Sequence, residues 1–347
     1  MQFSKIINQQ EVKQQLVELI QHNRLSHALL FLSKEGSGAL SLALALAQYL
    51  TCEKANPKKQ IPNANASLFG EELLTPDSRL RTLNSEFLTD SCGICASCIK
   101  ANQLIHPDIH FSYPVVTKKS GTPPLSVDYI TEWREFVKDQ PYGNVYDWLQ
   151  LIGAENKQGN ITANECNNII HKLSLKSFES EYKVLIMWMP EYLGAEGNKL
   201  LKLIEEPPPN TLFILVAENE TLLLPTIASR CQMIKIPMLE TGDIEKALID
   251  RNNTAAAKAR QVAATAEGNY REALQLLKNA EEDWQALLRE WLNSIIRTGP
   301  IAQTKWVEEI SRLGREKQKQ LLRYFNHLLE QSIRSKVMGS NVYLPDK

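Results

Sequence analysis

The sequence predicts an α/β fold in which a parallel sheet is covered by helices on both faces and is followed by a helical region. Three near-continuous apolar runs support this prediction: KVLIMW at 183–188, TLFILVA at 211–217 and QMIKIP at 232–237. Strands that are apolar throughout are typical of parallel sheets buried on both faces. Helix-forming sequence lies between the first two runs, as a crossover connection between parallel strands requires. After Pro237 no strand-like run follows, so we expect helices there.

The N-terminal part of the chain supplies the first helix and strand of this layout. Residues 9–22 place apolar side chains at helical spacing, and the run HALLFL follows as a buried strand. A turn at Ser37 and Gly38 then leads into a Leu- and Ala-rich helix. Further along we predict an irregular insertion at 53–91, a second strand at 109–116, a loop at 119–126, helical structure to about residue 150 and a helix at 161–173.

The C-terminal half is predicted to change from α/β to all-helical structure. Between the first two apolar runs, GNKLLKLIEEPPP predicts a helix that Pro207 ends. Residues 240–281 are Ala-rich and helical, and longer amphipathic helices follow from residue 283 onward. We therefore predict an α/β domain at 1–238, a small helical domain at 239–281 and a helical C-terminal domain at 282–347.

The overall charge of the chain favours no particular partner. The 347 residues contain 39 Lys and Arg against 40 Asp and Glu, so any DNA contact needs a local patch or partner subunits. The N-terminal sequence MQFSKIINQQ lacks the pattern of a signal peptide, and no apolar run approaches the roughly 20 residues of a membrane span. We expect a cytoplasmic protein with no membrane partner.

The stretch FLSKEGSGALSLALALA has the layout of a phosphate-binding loop without its binding residues. The P-loop pattern requires Gly, four residues, Gly, Lys and then Ser or Thr. Those positions fall on Ser33, Gly38, Ala39 and Leu40, with a further glycine at Gly36. Ala39 cannot neutralise a phosphate and Leu40 cannot ligate magnesium. By itself, the stretch equally fits an ordinary strand, turn and helix with glycines for a tight turn.

Three of the six cysteines lie in the run SCGICASC, at Cys92, Cys95 and Cys98. Disulfides are not expected in a reducing compartment. A lone CxxC allows redox chemistry, whereas three thiolates at this spacing favour one tetrahedral zinc ion. Cys52 ends the helix after the loop and is predicted as the fourth ligand, which gives a zinc-binding insert at about 52–98.

The remaining candidates for metal ligation are interpreted as structural. Cys166 and Cys231 stand apart from the cluster and are typical of small buried apolar residues. His106 is interpreted as structural because four cysteines already complete a closed zinc site.

The order of these motifs resembles bacterial clamp loaders of the AAA+ class. The matching segments are IINQQEVKQQL, NRLSHALLF, the interrupted loop, the CxxCxxC insert, HPD at 106–108, YKVLIMWMPEYL, NKLLKLIEEPPPNT and LLPTIASRCQ. The resemblance covers roughly residues 1 to 275, and the rest matches in helical character. It implies a five-stranded parallel sheet with helices on both faces, a helical lid at 239–281 and a C-terminal helical collar at 282–347 that joins subunits.

A second nucleotide-binding element of that family is also altered in this sequence. In the family, a strand that ends in an acidic residue binds magnesium. Here Trp188 stands at that position, and the next acid is Glu191. Together with Ala39 and Leu40 in the loop, this implies a subunit that does not hydrolyse ATP and that keeps the fold because it positions other groups.

The resemblance also gives roles to two arginines. In the family, the arginine of the SRC tripeptide, here Arg230, reaches across an interface to the γ-phosphate of ATP in the neighbouring subunit, and such arginine fingers raise rates on the order of 10³–10⁵. A local surface ion pair is the alternative for an isolated arginine. Arg271 stands where the family has a second nucleotide-sensing arginine, and without nucleotide we expect it to be structural or vestigial. Glu205 and Glu206 match the family's LEEPP motif and are interpreted as solvating a helix end.

We therefore hypothesise a non-catalytic, zinc-containing subunit of the replicative clamp loader, acting as a rigid stator within the polymerase holoenzyme. The resemblance implies an ATP-binding subunit and a delta-like subunit as partners, with the sliding clamp and primed DNA reached through the assembly. One alternative is an active AAA+ ATPase with an unusual loop, which Ala39 and Trp188 oppose. The other is a free-standing zinc module that binds nucleic acid, which the neutral charge and the absence of a basic stripe around the cysteines oppose.

Overall fold

The computed structural model describes residues 1–55, 89–118, 121–278, 284–313 and 315–338. Within these residues the chain forms one sheet with the strands β1 (Ala28–Ser33), β2 (Ile109–Ser112), β3 (Lys183–Trp188), β4 (Thr211–Ala217) and β5 (Gln232–Ile236). All five strands are parallel and lie in the order β2-β3-β4-β1-β5. The predicted five-stranded parallel sheet is confirmed.

Helices cover both faces of the sheet. They are α1 (Gln10–Gln21), α2 (Ala39–Thr51), α3 (Ala96–Asn102), α4 (Ile130–Asp139), α5 (Val145–Leu151), α6 (Ala163–Ser174), α7 (Leu201–Glu205) and α8 (Pro225–Ala228). Because side chains alternate along a strand, Phe31 and Ile186 pack into one core with α2, α4 and α5, while Leu30 and Leu185 pack into a second core with α6. Burial on both faces explains why the strands are apolar throughout.

Two elements are shorter than the sequence predicts. The strand expected at 109–116 ends at Ser112, since Pro114 has no N–H to continue the ladder, and Val115 pairs instead with Asn160 in an isolated antiparallel bridge. The helix expected in GNKLLKLIEEPPP is regular only over Leu201–Glu205, because the preceding run Pro190–Leu200 forms 3-10 turns that are interrupted at Gly194. Residues 56–88 of the predicted irregular insertion lie outside the described residues.

The described part of the chain after β5 is helical, as predicted. Helices α9 (Thr241–Asn252), α10 (Ala256–Ala266) and α11 (Tyr270–Lys278) pack around a core that includes Ile244 and Ala263, and we call them the three-helix unit. Ile7 and Tyr142 of the α/β part join this core. The last helices are α12 (Trp284–Asn293), the π-helical turn Ser294–Thr298, α13 (Pro300–Ser311) and α14 (Arg315–Met338). Among the described helices, none combines the length and apolarity needed to cross a membrane.

Candidate functional site

The interrupted phosphate-binding loop forms the strand, turn and helix that its sequence predicts. β1 ends at Ser33, and α2 begins at Ala39 directly after Gly38. Gly36 and Gly38 have φ angles of 75° and 90°, in the left-handed region where glycine is favoured. The strand, turn and helix are therefore formed although the lysine and the hydroxyl of the P-loop pattern are absent.

Little space is open beside this loop. A cavity of about 20 Å³ lies between the loop, Tyr142, Trp188 and Glu218. That volume accommodates about one water molecule, whereas ligand pockets measure about 300–1,000 Å³. The Tyr142 ring lies against Gly38, where an added Cβ would be 2.7 Å from ring atom Cε1. The loop is therefore covered as well as chemically incomplete.

Trp188 occupies the end of β3, the position that the resemblance assigns to a magnesium-binding acid. Its side chain is 3% exposed and its ring centroid lies 5.3 Å from that of Trp133 and 5.5 Å from that of Phe136. Glu191 does not replace the missing acid, because its carboxylate accepts hydrogen bonds from the backbone N–H groups of Glu218 (2.6 Å) and Asn219 (2.9 Å). Through these bonds the Glu191 side chain holds the backbone turn at Glu218 and Asn219. Burial raises the pKa of its carboxyl group.

The loop contains an acidic residue, Glu35, directly after Lys34. The Glu35 carboxylate accepts hydrogen bonds from Asn144 Nδ2 (3.0 Å), Asn269 Nδ2 (3.2 Å) and Arg271 Nη1 (2.9 Å). Arg271 is 4% exposed and also makes a two-point ion pair with Asp147, with Nε–Oδ2 at 2.5 Å and Nη2–Oδ1 at 2.6 Å. Of the two roles expected for Arg271, structural or vestigial, these contacts agree with the structural one.

The four cysteines predicted as zinc ligands lie together. The sulfur atoms of Cys52, Cys92, Cys95 and Cys98 all lie within 4.8 Å of one another, and Cys92 Sγ is 3.9 Å from Cys98 Sγ. Four thiolates at about 2.3 Å from one tetrahedral ion are about 3.8 Å apart, so the spacing fits zinc. Backbone N–H groups of Cys92, Cys95 and Cys98 each approach a cluster sulfur at 3.4 Å, which favours the thiolate form that binds metal.

His106 lies next to this cluster but has other partners. Its Nδ1 accepts a hydrogen bond from the Asp108 backbone N–H at 3.1 Å, and its Nε2 lies 3.0 Å from Ser97 Oγ. Ser97 Oγ donates to the Thr51 carbonyl at 2.6 Å, so the His106 Nε2–H is the donor to Ser97. Burial lowers the pKa of His106, which is consistent with a neutral ring in this network. His106 therefore supports the segment between the cysteines, and both of its nitrogens are occupied.

Arg230 lies at the opposite edge of the sheet from the loop. It directly precedes Cys231 and β5, and Gln232 is in register with Leu29 of β1, four residues before the loop begins at Ser33. At about 3.3 Å per residue, the strand separates the Arg230 backbone from the loop by on the order of 15 Å. Parallel strands place all of their starts at one edge and all of their ends at the other, so Arg230 does not face the loop of its own chain.

The Arg230 guanidinium is held by local contacts and is 35% exposed. Its Nε pairs with Glu205, and its Nη1 donates to the Thr226 carbonyl at 2.7 Å. Its Nη2 has no hydrogen-bond partner among the described residues. Glu205, interpreted from the sequence as a solvated residue at a helix end, thus also orients Arg230.

Sequence reasoning missed Glu35, Tyr142 and Asp147. An acidic residue directly before the two glycines of EGSG was a usable signal, because a carboxylate repels phosphate near the position where the loop would bind it. Asp147 forms a capping box with Asn144 at the start of α5, which is a recognisable sequence pattern. The third, Tyr142, gave no local signal, since its role depends on the approach of the three-helix unit.

The fold and this site together define an AAA+-type α/β protein whose nucleotide loop has lost its binding residues. The chain belongs to the family described as "DNA polymerase III, delta subunit", which matches residues 8–82 and 78–240. The resemblance to clamp-loader subunits found in the sequence is confirmed by this match.

Individual relatives are distant. The chain is 25% identical over 274 residues to the DNA polymerase III subunit delta' of Bacillus subtilis, a match that covers 79% of this chain and 60% of that protein. It is 27% identical over 207 residues to the subunit delta' of Haemophilus influenzae, covering 60% of this chain and 41% of that protein. A solved gamma-subunit-related protein of DNA polymerase III from Thermotoga maritima is 14% identical, with a TM-score of 0.35 over 88% of this chain and 76% of that chain. The matches thus span less than two thirds of the length of both curated relatives.

Proposed function

We propose that this chain is a delta-prime-like, ATP-inert subunit of a replicative clamp loader that donates Arg230 to the ATP site of a neighbouring subunit. The position of Arg230 is the observation that supports this proposal best. The side chain lies at the sheet edge away from its own loop and is partly exposed, with one guanidinium nitrogen free of partners among the described residues. An arginine so placed can act only on a phosphate held by another chain.

The absence of catalysis in this subunit is supported by the covered loop. The cavity of about 20 Å³ has no room for a nucleotide, and neither Ala39, Leu40 nor Trp188 can bind phosphate or magnesium. These features oppose the alternative of an active ATPase. The chain then contributes to the holoenzyme as a non-catalytic member.

The proposed assembly also accounts for exposed apolar residues near the C-terminus. Among the described residues of the last helices, the following large apolar side chains are at least 40% exposed: Leu292, Ile295, Ile296, Ile301, Val307, Leu322, Leu329 and Ile333. Apolar exposure on this scale favours burial against other chains. We assign residues 282–347 to a collar that joins subunits, 239–281 to a lid and 1–238 to the α/β domain, with the sliding clamp and primed DNA reached through the assembly.

The cysteine cluster is assigned to one structural zinc ion. Cys52, Cys92, Cys95 and Cys98 would hold it, and a closed four-thiolate site leaves no position for substrate. The metal would join the end of α2 to the start of α3, which stabilises the insert rather than supplying chemistry.

The experiment that tests the proposed function is the ATPase of a reconstituted complex containing Arg230→Ala. We expect clamp- and DNA-stimulated ATPase to fall while gel filtration shows an intact assembly. Arg230→Lys should rescue poorly, because an ammonium cannot reproduce the planar guanidinium fork. Arg260→Ala, which removes an exposed arginine of α10, is the matched control. Unchanged ATPase and clamp loading in an intact Arg230→Ala complex would reduce Arg230 to a surface ion-pair residue.

A further inference from the structure

The contacts of Arg271 join two parts of the chain that lie far apart in sequence. Arg271 belongs to α11, while Glu35 lies in the loop after β1, 236 residues away, and Asp147 lies in α5, 124 residues away. The guanidinium is 4% exposed, and the two carboxylate side chains are 18% and 9% exposed. A charge buried this deeply is stable only when it is paired and hydrogen-bonded, and here both conditions are met.

The two carboxylates are arranged around the planar edge of the guanidinium. Asp147 takes the two-point contact through Nε and Nη2, and Glu35 takes Nη1. Asn144 and Asn269 donate further hydrogen bonds to Glu35, and the Asn144 backbone N–H donates to Asp147 Oδ2 at 3.2 Å. Asn144 thus orients both carboxylates from within the α/β part, and Asn269 adds a contact to Glu35 from the start of α11 itself.

Backbone contacts bring the three-helix unit close to the loop at the same place. The Tyr270 backbone N–H donates to the Gly36 carbonyl at 3.3 Å, and an added Cβ at Gly36 would lie 2.9 Å from that nitrogen. The rings of Tyr142 and Tyr270 meet edge to face with their centroids 5.0 Å apart. The Tyr142 hydroxyl accepts from the Ile7 backbone N–H at 3.0 Å, so the N-terminal segment is included in the contact.

We propose that Glu35 and Asp147 form a guanidinium-binding site whose occupant is the chain's own Arg271, and that this internal ion pair fastens the three-helix unit onto the loop without nucleotide. The orientation of the unit is then set by side chains that are always present. A phosphate approaching the loop would meet the Glu35 carboxylate and would have to displace a buried ion pair. This inference concerns the isolated chain and goes beyond the role proposed for Arg230.

Hydrogen exchange followed by mass spectrometry on the full chain tests the proposal. Amides of 270–278 should exchange at the same rate with and without MgATP in the wild-type protein. In Arg271→Met, which removes the charge but keeps an unbranched, helix-compatible side chain, these amides should exchange at least about tenfold faster, because two buried carboxylates lose their partner. Arg260→Met in α10 of the same unit is the matched control and should leave the rates unchanged. Amides of β3 and β4 report global unfolding. If they still exchange slowly in the variant, the faster exchange of 270–278 reflects local opening.

Chemical rescue makes the test specific for a guanidinium site. Arg271→Ala leaves space between Glu35 and Asp147, and about 50 mM guanidinium chloride, far below denaturing concentrations, should restore part of the slow exchange. Equimolar sodium chloride should not. If Arg271→Ala fails to fold, Glu35→Gln can replace it, because it removes only the charge of the more exposed carboxylate. Amide exchange in Glu35→Gln should be faster by a smaller factor, and only in the loop and in 270–278.

Three outcomes would overturn the proposal. They are slower exchange of 270–278 in wild-type protein when MgATP is added, wild-type exchange rates in Arg271→Met, and equal rescue of Arg271→Ala by sodium and guanidinium. The first of these outcomes would also contradict ATP inertness, whereas the other two concern Arg271 alone. None of them bears on Arg230, whose test is the ATPase of the reconstituted complex. Failure of this inference in the Arg271 variants and failure of the proposed arginine donation are therefore distinguishable.

Discussion

Gly36 in the loop and Asn269 at the start of α11 are so close that a Cβ at residue 36 would overlap Asn269 Oδ1. The same Asn269 side chain donates to Glu35, and its Oδ1 accepts from the Glu272 backbone N–H at 3.1 Å. A glycine is therefore required here for two reasons: its φ of 75° and the approach of the three-helix unit.

Replacement of this glycine tests the contact between the two parts of the chain. We expect Gly36→Ala to lower the free energy of unfolding by at least about 2 kcal/mol, through left-handed strain plus overlap with Asn269. Gly153→Ala is the matched control, since Gly153 has a φ of 65° and an added Cβ there meets nothing within 4 Å. Gly153→Ala should lower the free energy of unfolding by about 1 kcal/mol. Urea denaturation measures both, and equal losses would contradict a tight contact at residue 36.

Restoring the P-loop residues should not restore ATP binding. We expect neither the wild-type chain nor Ala39→Lys/Leu40→Thr to give a saturable calorimetric signal with MgATP at micromolar concentrations, because Tyr142 and Trp188 still fill the pocket and Glu35 still repels phosphate. Saturable binding by the wild-type chain would support the active-ATPase alternative. Saturable binding by the double variant alone would show that the missing lysine and hydroxyl, and not the covered pocket, prevent binding.

Metal analysis should find about one zinc per chain in protein purified without chelator. We expect Cys52→Ser to lose most of the metal and to unfold at a lower temperature, because metal-binding energy becomes folding energy when the site forms only in the folded chain. Cys231→Ser is the control, since Cys231 lies outside the cluster. A chain that keeps its zinc in Cys52→Ser, or its full thermal stability without metal, would contradict a four-cysteine structural site.

Glu205 is expected to act through Arg230. Since exposed ion pairs contribute about 0–1 kcal/mol, Glu205→Gln should lower the ATPase of the reconstituted complex by about two- to fivefold, less than Arg230→Ala does. Glu205→Gln combined with Arg230→Ala should equal Arg230→Ala alone, since two changes in one interaction are not additive. Glu206→Gln, at the neighbouring position, should have no effect. Additive losses in the double variant would give Glu205 a role independent of Arg230.

The stability of the chain should fall on acidification through His110 of β2. Burial lowers the pKa of His110 to about 4, with Lys172 acting in the same direction and Asp108 opposing it. The unfolded chain therefore takes up this proton near pH 6.5, while the folded chain stays neutral down to about pH 4. Above pH 6.5 the His110 ring is neutral in both states and does not lower the free energy of unfolding. As the pH falls from 6.5 towards 4, protonation of the unfolded chain lowers the free energy of unfolding by up to about 3 kcal/mol.

The measurement is urea denaturation between pH 7 and 4. His110→Gln should flatten this part of the pH profile, whereas the exposed-site control His22→Gln should follow the wild type. Both variants keep the four cysteines, so loss of metal at low pH affects them equally. An unchanged slope in His110→Gln would assign the acid sensitivity to other groups.

The sequence alone determined the strands, the interrupted loop, the cysteine spacing and the family. These features are local. An apolar run of six or seven residues defines each of β3 and β4, and CxxCxxC places three thiolates within a stretch of seven residues. The absence of Lys at residue 39 and of an acid at residue 188 is also visible without coordinates. For the same reason the sequence overestimated β2, because apolar residues continue past Pro114 although the hydrogen-bond ladder does not.

Only the tertiary structure decided what fills the degenerate site and which way Arg230 faces. Glu35, Asp147 and Arg271 are separated by more than 100 residues, and no local pattern specifies which carboxylate a distant guanidinium will meet. The strand order places β5 beside β1 with Arg230 at the starting edge, so the same SRC tripeptide that the sequence shows is directed away from its own loop. Pairings of this kind depend on how the sheet and the three-helix unit pack, because burial strengthens an ion pair only once both partners have been brought out of water together.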